Sequence, residues 1–532
     1  METLAALLDA TVARFPEREA LAYAPHGEVT VRRTWGELAT ESRRAAARLR
    51  AAGAGQGTRV ALLCSNRPEW LPVAFGAARL GAVLVPLSTL WTRDELAYAL
   101  VHADVELLVT LPGFLRHDYV ASLSGIDAPL LRGVVLLTGS APGTTRWDDL
   151  ADTDDAPDAA VSPRDPAVIF FTSGTTAQAK AVVHSHGALT TSARRIADCL
   201  GLGPGDAWWG HMPLFWSGGF VMGALAQVAG GGRIVLQEVV EAGAALALLE
   251  REGCTVMLGW HQAAPLLEHP DFPRRKLELK KGSGGTHPLA TRLLGPDHVS
   301  VGMYGMTETA TCITCARWDD PEPIRTRTFG RPLAGMELHI VDPETRAPVA
   351  PGETGEILVR GPTLMEGYHK VPRAETFDAE GFFPTGDLGY LDDAGCLHFA
   401  SRLKDVIKTA GVNVAASEVE EALARHPAVR AAHVVGVPDP VRGENVAAFV
   451  VLAPGRAADA EALRAFCRAS LASYKVPRHV FVVEEAALPR TGTGKIEKAA
   501  LRRAAAARLA GARRDAGPHP GNLGHHPKKA ES

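Results

Sequence analysis

Thr172-Ser173-Gly174-Thr175-Thr176-Ala177-Gln178-Ala179-Lys180 follows the apolar run Ala167-Val168-Ile169-Phe170-Phe171. The run reads as a buried strand, so polar backbone and hydroxyls are delivered abruptly at a strand end. Hydroxyls, small residues and a closing lysine suit phosphate oxygens, because backbone N–H groups can turn inward and the ammonium adds positive charge. The spacing resembles a Walker A loop and fails it. Gly174 and Lys180 stand where that loop needs them, but Ala179 replaces its second glycine and Ala181 its magnesium-binding Ser/Thr. By itself such a stretch is also the composition of an ordinary solvated connection.

On the N-terminal side, Arg59–Cys64, Val83–Leu87 and Val105–Thr110 read as strands, with helical patterns over Pro68–Leu80 and Asp94–His102 between them. Leu131–Thr138 extends the series before an Asp/Pro-rich linker at 148–166. Near-continuous apolar strands alternating with helices predict an α/β domain whose sheets are covered on both faces. On the C-terminal side, helices are expected over Gly187–Leu200 and Ala242–Arg251, with strands at Arg233–Leu236, Thr255–Gly259 and His298–Tyr304. From Gly330 short β pieces and turns predict a small β-rich subdomain, about 330–401, ending in a hairpin at Leu391–Phe399. A separate α+β domain follows over 402–505, and the Gly/Pro/His/Lys-rich segment 506–532 is expected to be disordered.

A chain of 532 residues exceeds the size of a single core, and 46% apolar with 22% charged residues is ordinary for a water-soluble protein. A net charge of -4 gives no reason to expect nucleic acid, so small-molecule partners are expected. No long apolar run suggests a signal peptide or an integral membrane segment, and a cytoplasmic location is expected. The seven cysteines are scattered, and Cys312 and Cys315 lack a second pair for zinc, so thiols are expected.

Other stretches carry chemistry with two readings each. Trp208–Gly219 sets aromatics beside glycines, as a pocket wall or as core filling. Gly282-Ser283-Gly284-Gly285 permits close backbone approach by a base or phosphate, or makes a tight turn. Glu308 after Thr307 is a Mg²⁺ ligand or a cap, and Asp387 a sugar-diol acceptor or an Asx turn. Lys495, behind Thr491-Gly492-Thr493-Gly494, is a solvated cap or a cation able to close over phosphate.

Assembled, these segments resemble the adenylate-forming superfamily, and within it the acyl-CoA synthetase branch. The matches run in that family's order: Phe171–Thr176 with Lys180, Tyr304–Glu308, Thr385-Gly386-Asp387, Arg402–Lys408, Gly411–Asn413 through Glu418–Glu420, and Pro489–Lys495. They span roughly residues 8–505.

The resemblance implies a multi-subdomain N-terminal domain, 1–401, for ATP and the acid, and a mobile C-terminal domain hinged at Lys404. Thr172, Ser173, Gly174, Thr175, Thr176 and Lys180 would contact the β- and γ-phosphates. Gly284, Gly285 and Tyr304 would meet adenine, Thr307 the α-phosphate, Glu308 Mg²⁺, and Asp387 with Arg402 the ribose. Lys495 matches the adenylation lysine, and the Lys408–Gly411 segment the part that faces the thioester step. The implied reaction is AMP-forming ligation of a carboxylic acid to coenzyme A. With no following carrier domain, free CoA is the expected acceptor; a separate acyl-carrier protein and a homodimer stay compatible. Aryl acids, and an ATP-binding homologue without catalysis, are the alternatives. The acid pocket is expected along His211, Phe215, Trp216, Trp260, His261, Gly282, Met306 and Ala310. The small residues of Gly218–Ala224 would leave room for a fatty or other hydrophobic acid.

Departures from the family pattern fall at Ala177, where glycine is usual, at Ala179, Trp216 and Ser401, and at Ala415-Ala416.

Overall fold

The computed structural model describes residues 1–152, 158–172, 179–260, 262–285, 287, 289–409, 412–439, 442–491 and 495–515. The expectations for Ser173, Gly174, Thr175, Thr176, Ala177, His261, Gly411 and the tail from 516 lie outside them. Two compact units divide the chain, Met1–Phe399 and Ala400–Ser532.

In the first unit the apolar runs form two sheets. One is built, in spatial order, from Lys281–Gly282, Val256–Met257, Ala207–Gly210, Arg233–Gln237, Glu19–Ala24 and Val31–Thr34. All its neighbours pair in parallel except the last. The other runs Gly367–Tyr368, Lys180–Ser185, Pro166–Thr172, Val83–Pro86, Arg59–Leu63, Leu107–Thr110, Gly133–Leu136 and Thr145–Arg146, and is parallel from Pro166–Thr172 onward. Val60, Leu62, Leu63, Val85 and Val109 are completely buried, as strands covered on both faces require.

The helices start where side chains replace missing backbone partners. Thr34 and Thr92 each close a capping box, with Glu37 and Glu95, at the heads of Trp35–Ala51 and Arg93–His102. Helix His186–Leu200 begins at Ser185, whose hydroxyl accepts from Ala188 N–H, and stops at Gly201. Gly201 has φ +58°, and a Cβ there would lie 2.7 Å from the Trp318 ring, so only glycine fits.

The β-rich region is a four-stranded antiparallel sheet, Glu337–Val341, Gly355–Arg360, Phe383–Leu391 and Leu397–Arg402. A smaller sheet of Met303–Tyr304, Thr314–Cys315 and Arg331–Pro332 precedes it. The strand expected over His298–Tyr304 is therefore ladder-paired only at its end. Its first half still runs beside the preceding strand, with Val299 N–H donating to Lys280 O and Val301 N–H to Gly282 O.

In the second unit Val429–Asp439 and Gly443–Leu452 form a long antiparallel pair, with His479–Val482 parallel to the latter. Helices Ala416–Ala424 and Ala460–Arg468 bury Val419, Leu423 and Leu463 against it. The last helix, Lys498–Asp515, corrects the boundary expected at 505. Residues 506–515 are alanine- and arginine-rich, with high helix propensity, and Leu501 and Ala505 anchor the preceding turns in the core. The seven cysteines are buried free thiols. No helix among the described residues is long and apolar enough to cross a membrane.

Two buried histidines flank the turn between strand and helix at Ser185. Burial pushes His184 and His186 each from 6.5 down to about 4. The unfolded chain protonates both below 6.5 while the folded chain resists until about 4, so stability is full above 6.5 and is lost as pH falls through that window. By pH 5 the loss is about 2 kcal/mol per histidine. Urea unfolding at pH 7.5 and pH 5 should show it, with a smaller difference in His186→Asn; equal midpoints at the two pH values would contradict it.

Candidate active site

Thr307 and Glu308 lie on a short 3-10 turn, Thr307–Thr309, after the strand Met303–Tyr304. Directly behind it Ala310 and Thr311 both take left-handed backbone, φ 48° and 76°, a conformation that side-chain-bearing residues rarely hold. The surroundings clamp it. Ser192 Oγ donates to Ala310 O at 2.6 Å, Met365 N–H donates to Glu308 O at 2.8 Å, and the Ser217 and Thr307 hydroxyls meet at 3.1 Å. His184 Nε2 lies 2.6 Å from Thr307 O. Burial keeps this imidazole neutral, and because a carbonyl only accepts, the proton sits on Nε2.

Glu308 is tied into a second chain of contacts. Tyr368, from an edge strand, donates its hydroxyl to Glu308 Oε1 at 2.9 Å, and its ring carries the Lys180 ammonium 4.4 Å from the centroid. Beside the carboxylate, burial pushes the Tyr368 phenol well above its ordinary range, so it remains a donor. Tyr98 OH donates to the carbonyl of Ala179, just before Lys180, at 3.0 Å. Lys180, Tyr368 and Glu308 thus converge on one place.

Tyr304 donates to Asp387 Oδ2 at 2.8 Å, and its ring packs against Phe329 and Phe399. Gly284 and Gly285 sit where side chains cannot. A Cβ on Gly284 would be 1.7 Å from Trp260 Nε1, and one on Gly285 would be 2.0 Å from Arg325 O. Trp260 in turn stacks on His287, with ring centroids 4.9 Å apart.

His211 follows the carboxyl end of Ala207–Gly210 and stacks on Trp209 at 4.1 Å. Phe215 meets Trp216 edge-on at 5.8 Å. Trp260 and Gly284 follow the carboxyl ends of neighbouring parallel strands, the side of such a sheet where ligands bind. Met306 is half-buried beside Thr307, whereas Gly282 and Ala310 are enclosed, a Cβ on Gly282 lying 2.6 Å from Met257 O.

The room expected beside Gly218–Ala224 is corrected at two positions. This segment is a π-helical run, Gly218–Leu225; the Pro213 carbonyl fills the space at Gly219, and the Trp208 indole fills it at Gly223. Trp208 and Trp209 are themselves completely buried.

In the second unit Arg402 and Lys404 are exposed around a 3-10 turn, Leu403–Asp405, and Lys408 is exposed on the strand Val406–Thr409. Lys495 is exposed, and its carbonyl accepts from Thr491 N–H at 2.7 Å.

Sequence reasoning missed Asn66, His184, Ser217 and Tyr368, although a lone histidine within Ala181–Ser185 was a visible signal. A polar residue just past a buried strand, as at Asn66, was another.

Comparison with known proteins decides the family. The AMP-binding enzyme family matches residues 8–369, and the AMP-binding enzyme C-terminal domain matches 418–495. The chain is an AMP-binding enzyme. A relative from Rhodococcus jostii, a CoA ligase for a propanoate bearing a methyl-dioxo-octahydroindenyl group, is 36% identical over 89% of this chain and 94% of its own. A solved anthranilate CoA ligase in complex with anthranoyl-AMP superposes with TM-score 0.85 at 25% identity, covering 96% of this chain and 98% of that one. An o-succinylbenzoate CoA synthetase from Bacillus subtilis, holding its acyl-adenylate, gives TM-score 0.77 at 28% identity, covering 93% and 97%. This AMP-binding enzyme belongs to the acid–thiol ligase branch of the adenylate-forming superfamily. Its reaction activates a carboxylic acid with ATP to an acyl-adenylate, then transfers the acyl group to coenzyme A.

Proposed function

We propose that the enzyme ligates a hydrophobic carboxylic acid, fatty or cyclic, to coenzyme A, using the residues described above. What supports the choice of acid is the edge-on pair Phe215–Trp216 and Trp260 lying on Gly284, which, with Met306, we read as the wall of the acyl site. His287, stacked on Trp260, has its pKa lowered by burial, which disfavours a charged imidazole there as a partner for a second carboxylate. Relatives that take a propanoate on a fused ring and anthranilate are consistent with such a wall.

In this reading a carboxylate oxygen of the acid attacks the α-phosphorus of ATP, the bond to the bridging oxygen of the β-phosphate breaks, and pyrophosphate leaves. The carboxylate, whose own leaving group would be oxide, now carries AMP. Thr307, clamped by His184 and Ser217, donates to the α-phosphate without reorganising, and Lys180 and Lys495 offset charge that grows on the phosphates. Tyr304 meets adenine, while Asp387 accepts from the ribose hydroxyls and Arg402 donates to them. Glu308 fits a hard cation: Tyr368 holds Oε1 and leaves Oε2 as an oxygen donor. Mg²⁺ held there would neutralise phosphate charge. For the second half-reaction, rotation at Lys404 would withdraw Lys495 and bring in the Lys408–Gly411 segment. The CoA thiolate then attacks the acyl carbon and AMP leaves.

A substrate panel tests the acid. Hexanoate, laurate and benzoate should give kcat/KM at least about tenfold above small polar or dicarboxylic acids, one apolar contact set being worth 1–3 kcal/mol. Higher values for the polar or dicarboxylic acids would overturn the reading.

A further inference from the structure

Asn66 stands just past the carboxyl end of the strand Arg59–Leu63, in one sheet, and its side chain reaches the loop that leaves the other. It is 6% exposed. Nδ2 donates to Gly210 O at 3.0 Å and to Met212 O at 2.9 Å, and Oδ1 accepts from Leu214 N–H at 2.9 Å. One amide therefore satisfies every second residue along 210–214, as a neighbouring strand's backbone would. Met212 and Leu214 are buried, so these groups are expensive to leave unpaired. The residue before Asn66 is held as well. Ser65 and Tyr23 both donate to Glu238, which lies past the carboxyl end of Arg233–Gln237.

The fastened loop carries His211, Phe215 and Trp216, and its far end is tied separately by Ser217 to Thr307. The two anchors divide the loop: the hydroxyl pair serves the phosphate end, and the amide serves the wall. We propose that Asn66 is a positioning residue that sets the place of the acyl wall and so the affinity for the acid, without acting on the nucleotide. This rests on the reading of 211–216 as that wall.

The isosteric Asn66→Asp tests it, because a carboxylate cannot donate to either carbonyl, whereas its protonated form can donate to one. In acid-dependent pyrophosphate release at pH 8, KM for the preferred acid should rise about 30- to 100-fold and KM for ATP stay within about twofold. Relative to wild type, the acid KM should partly recover toward pH 6 in Asn66→Asp and show no recovery in Asn66→Ala. Thermal melting of each variant is run alongside, and if Asn66→Asp fails to fold, Asn66→Ala carries the same KM comparison. Phe215→Ala is the control for the wall itself. If Phe215→Ala changes acid KM and the Asn66 variants do not, the inference falls and the acid-site reading stands. If Phe215→Ala leaves acid KM and preference unchanged, that reading falls and takes the inference with it. An equal rise in KM for acid and ATP would mean general loosening and would overturn the inference.

Discussion

Replacing Lys495 by alanine is expected to slow acyl-adenylate formation by 10²- to 10³-fold, while thioester formation from supplied acyl-adenylate stays within about threefold of wild type. The first half-reaction builds negative charge on the phosphates as pyrophosphate departs, and a cation there is worth more in the transition state than in the ground state. The second has no pyrophosphate to stabilise. Lys495 is an exposed residue, and surface substitutions usually change stability by less than about 0.5 kcal/mol, so its replacement should leave the melting temperature nearly unchanged. The two rates are read separately, by acid-dependent ATP–pyrophosphate exchange and by AMP release from synthetic acyl-adenylate with CoA. Equal collapse of both would remove the division of labour between the faces of the C-terminal domain.

The second large effect is at Glu308. Glu308→Gln keeps the shape and the contact with Tyr368 but removes the charge, and adenylation should fall about 10²-fold, with a higher Mg²⁺ requirement. Tyr368→Phe keeps the ring beneath Lys180 and deletes only the hydroxyl. One hydrogen bond to a charged group is worth about 1.5–3 kcal/mol, so the Mg²⁺ needed for half-maximal rate should rise about tenfold with little change in KM for the acid. Calorimetric titration of ATP with and without Mg²⁺ supplies a readout independent of turnover. If Glu308→Gln binds MgATP and turns over as wild type does, the carboxylate is a turn residue and no more.

Much of this site was legible in the sequence because its residues sit in short, contiguous motifs. The polar stretch after Thr172 and the turn at Thr307-Glu308 each announce polar groups past a strand, whereas Asp387, expected at a turn, lies within the strand Phe383–Leu391. The alternation of the first unit was legible for the same reason that it folds: strands such as Arg59–Leu63 are apolar on both faces. What escaped was pairwise and distant. Nothing local in Val182-Val183-His184 says that its imidazole will hold the Thr307 carbonyl 123 positions away. Nor does Gly367-Tyr368 foretell a bridge between Lys180 and Glu308. Glycine was misread in the opposite sense. At Gly219 and Gly223 a missing side chain suggested space for substrate, whereas Pro213 and Trp208 occupy it. The end of the chain was misjudged because composition outweighed propensity: 506–515 shares charge with the tail beyond it but has the alanine content of a helix.

The most direct measurement follows pyrophosphate and AMP from the purified enzyme with MgATP and a hydrophobic acid, before and after CoA is added. Pyrophosphate should appear only with acid present, about one per active site and without matching free AMP, and CoA should then release AMP and start steady turnover. Acid-independent ATP cleavage, or AMP release at the same rate without CoA, would contradict an acid–thiol ligase working through a retained acyl-adenylate.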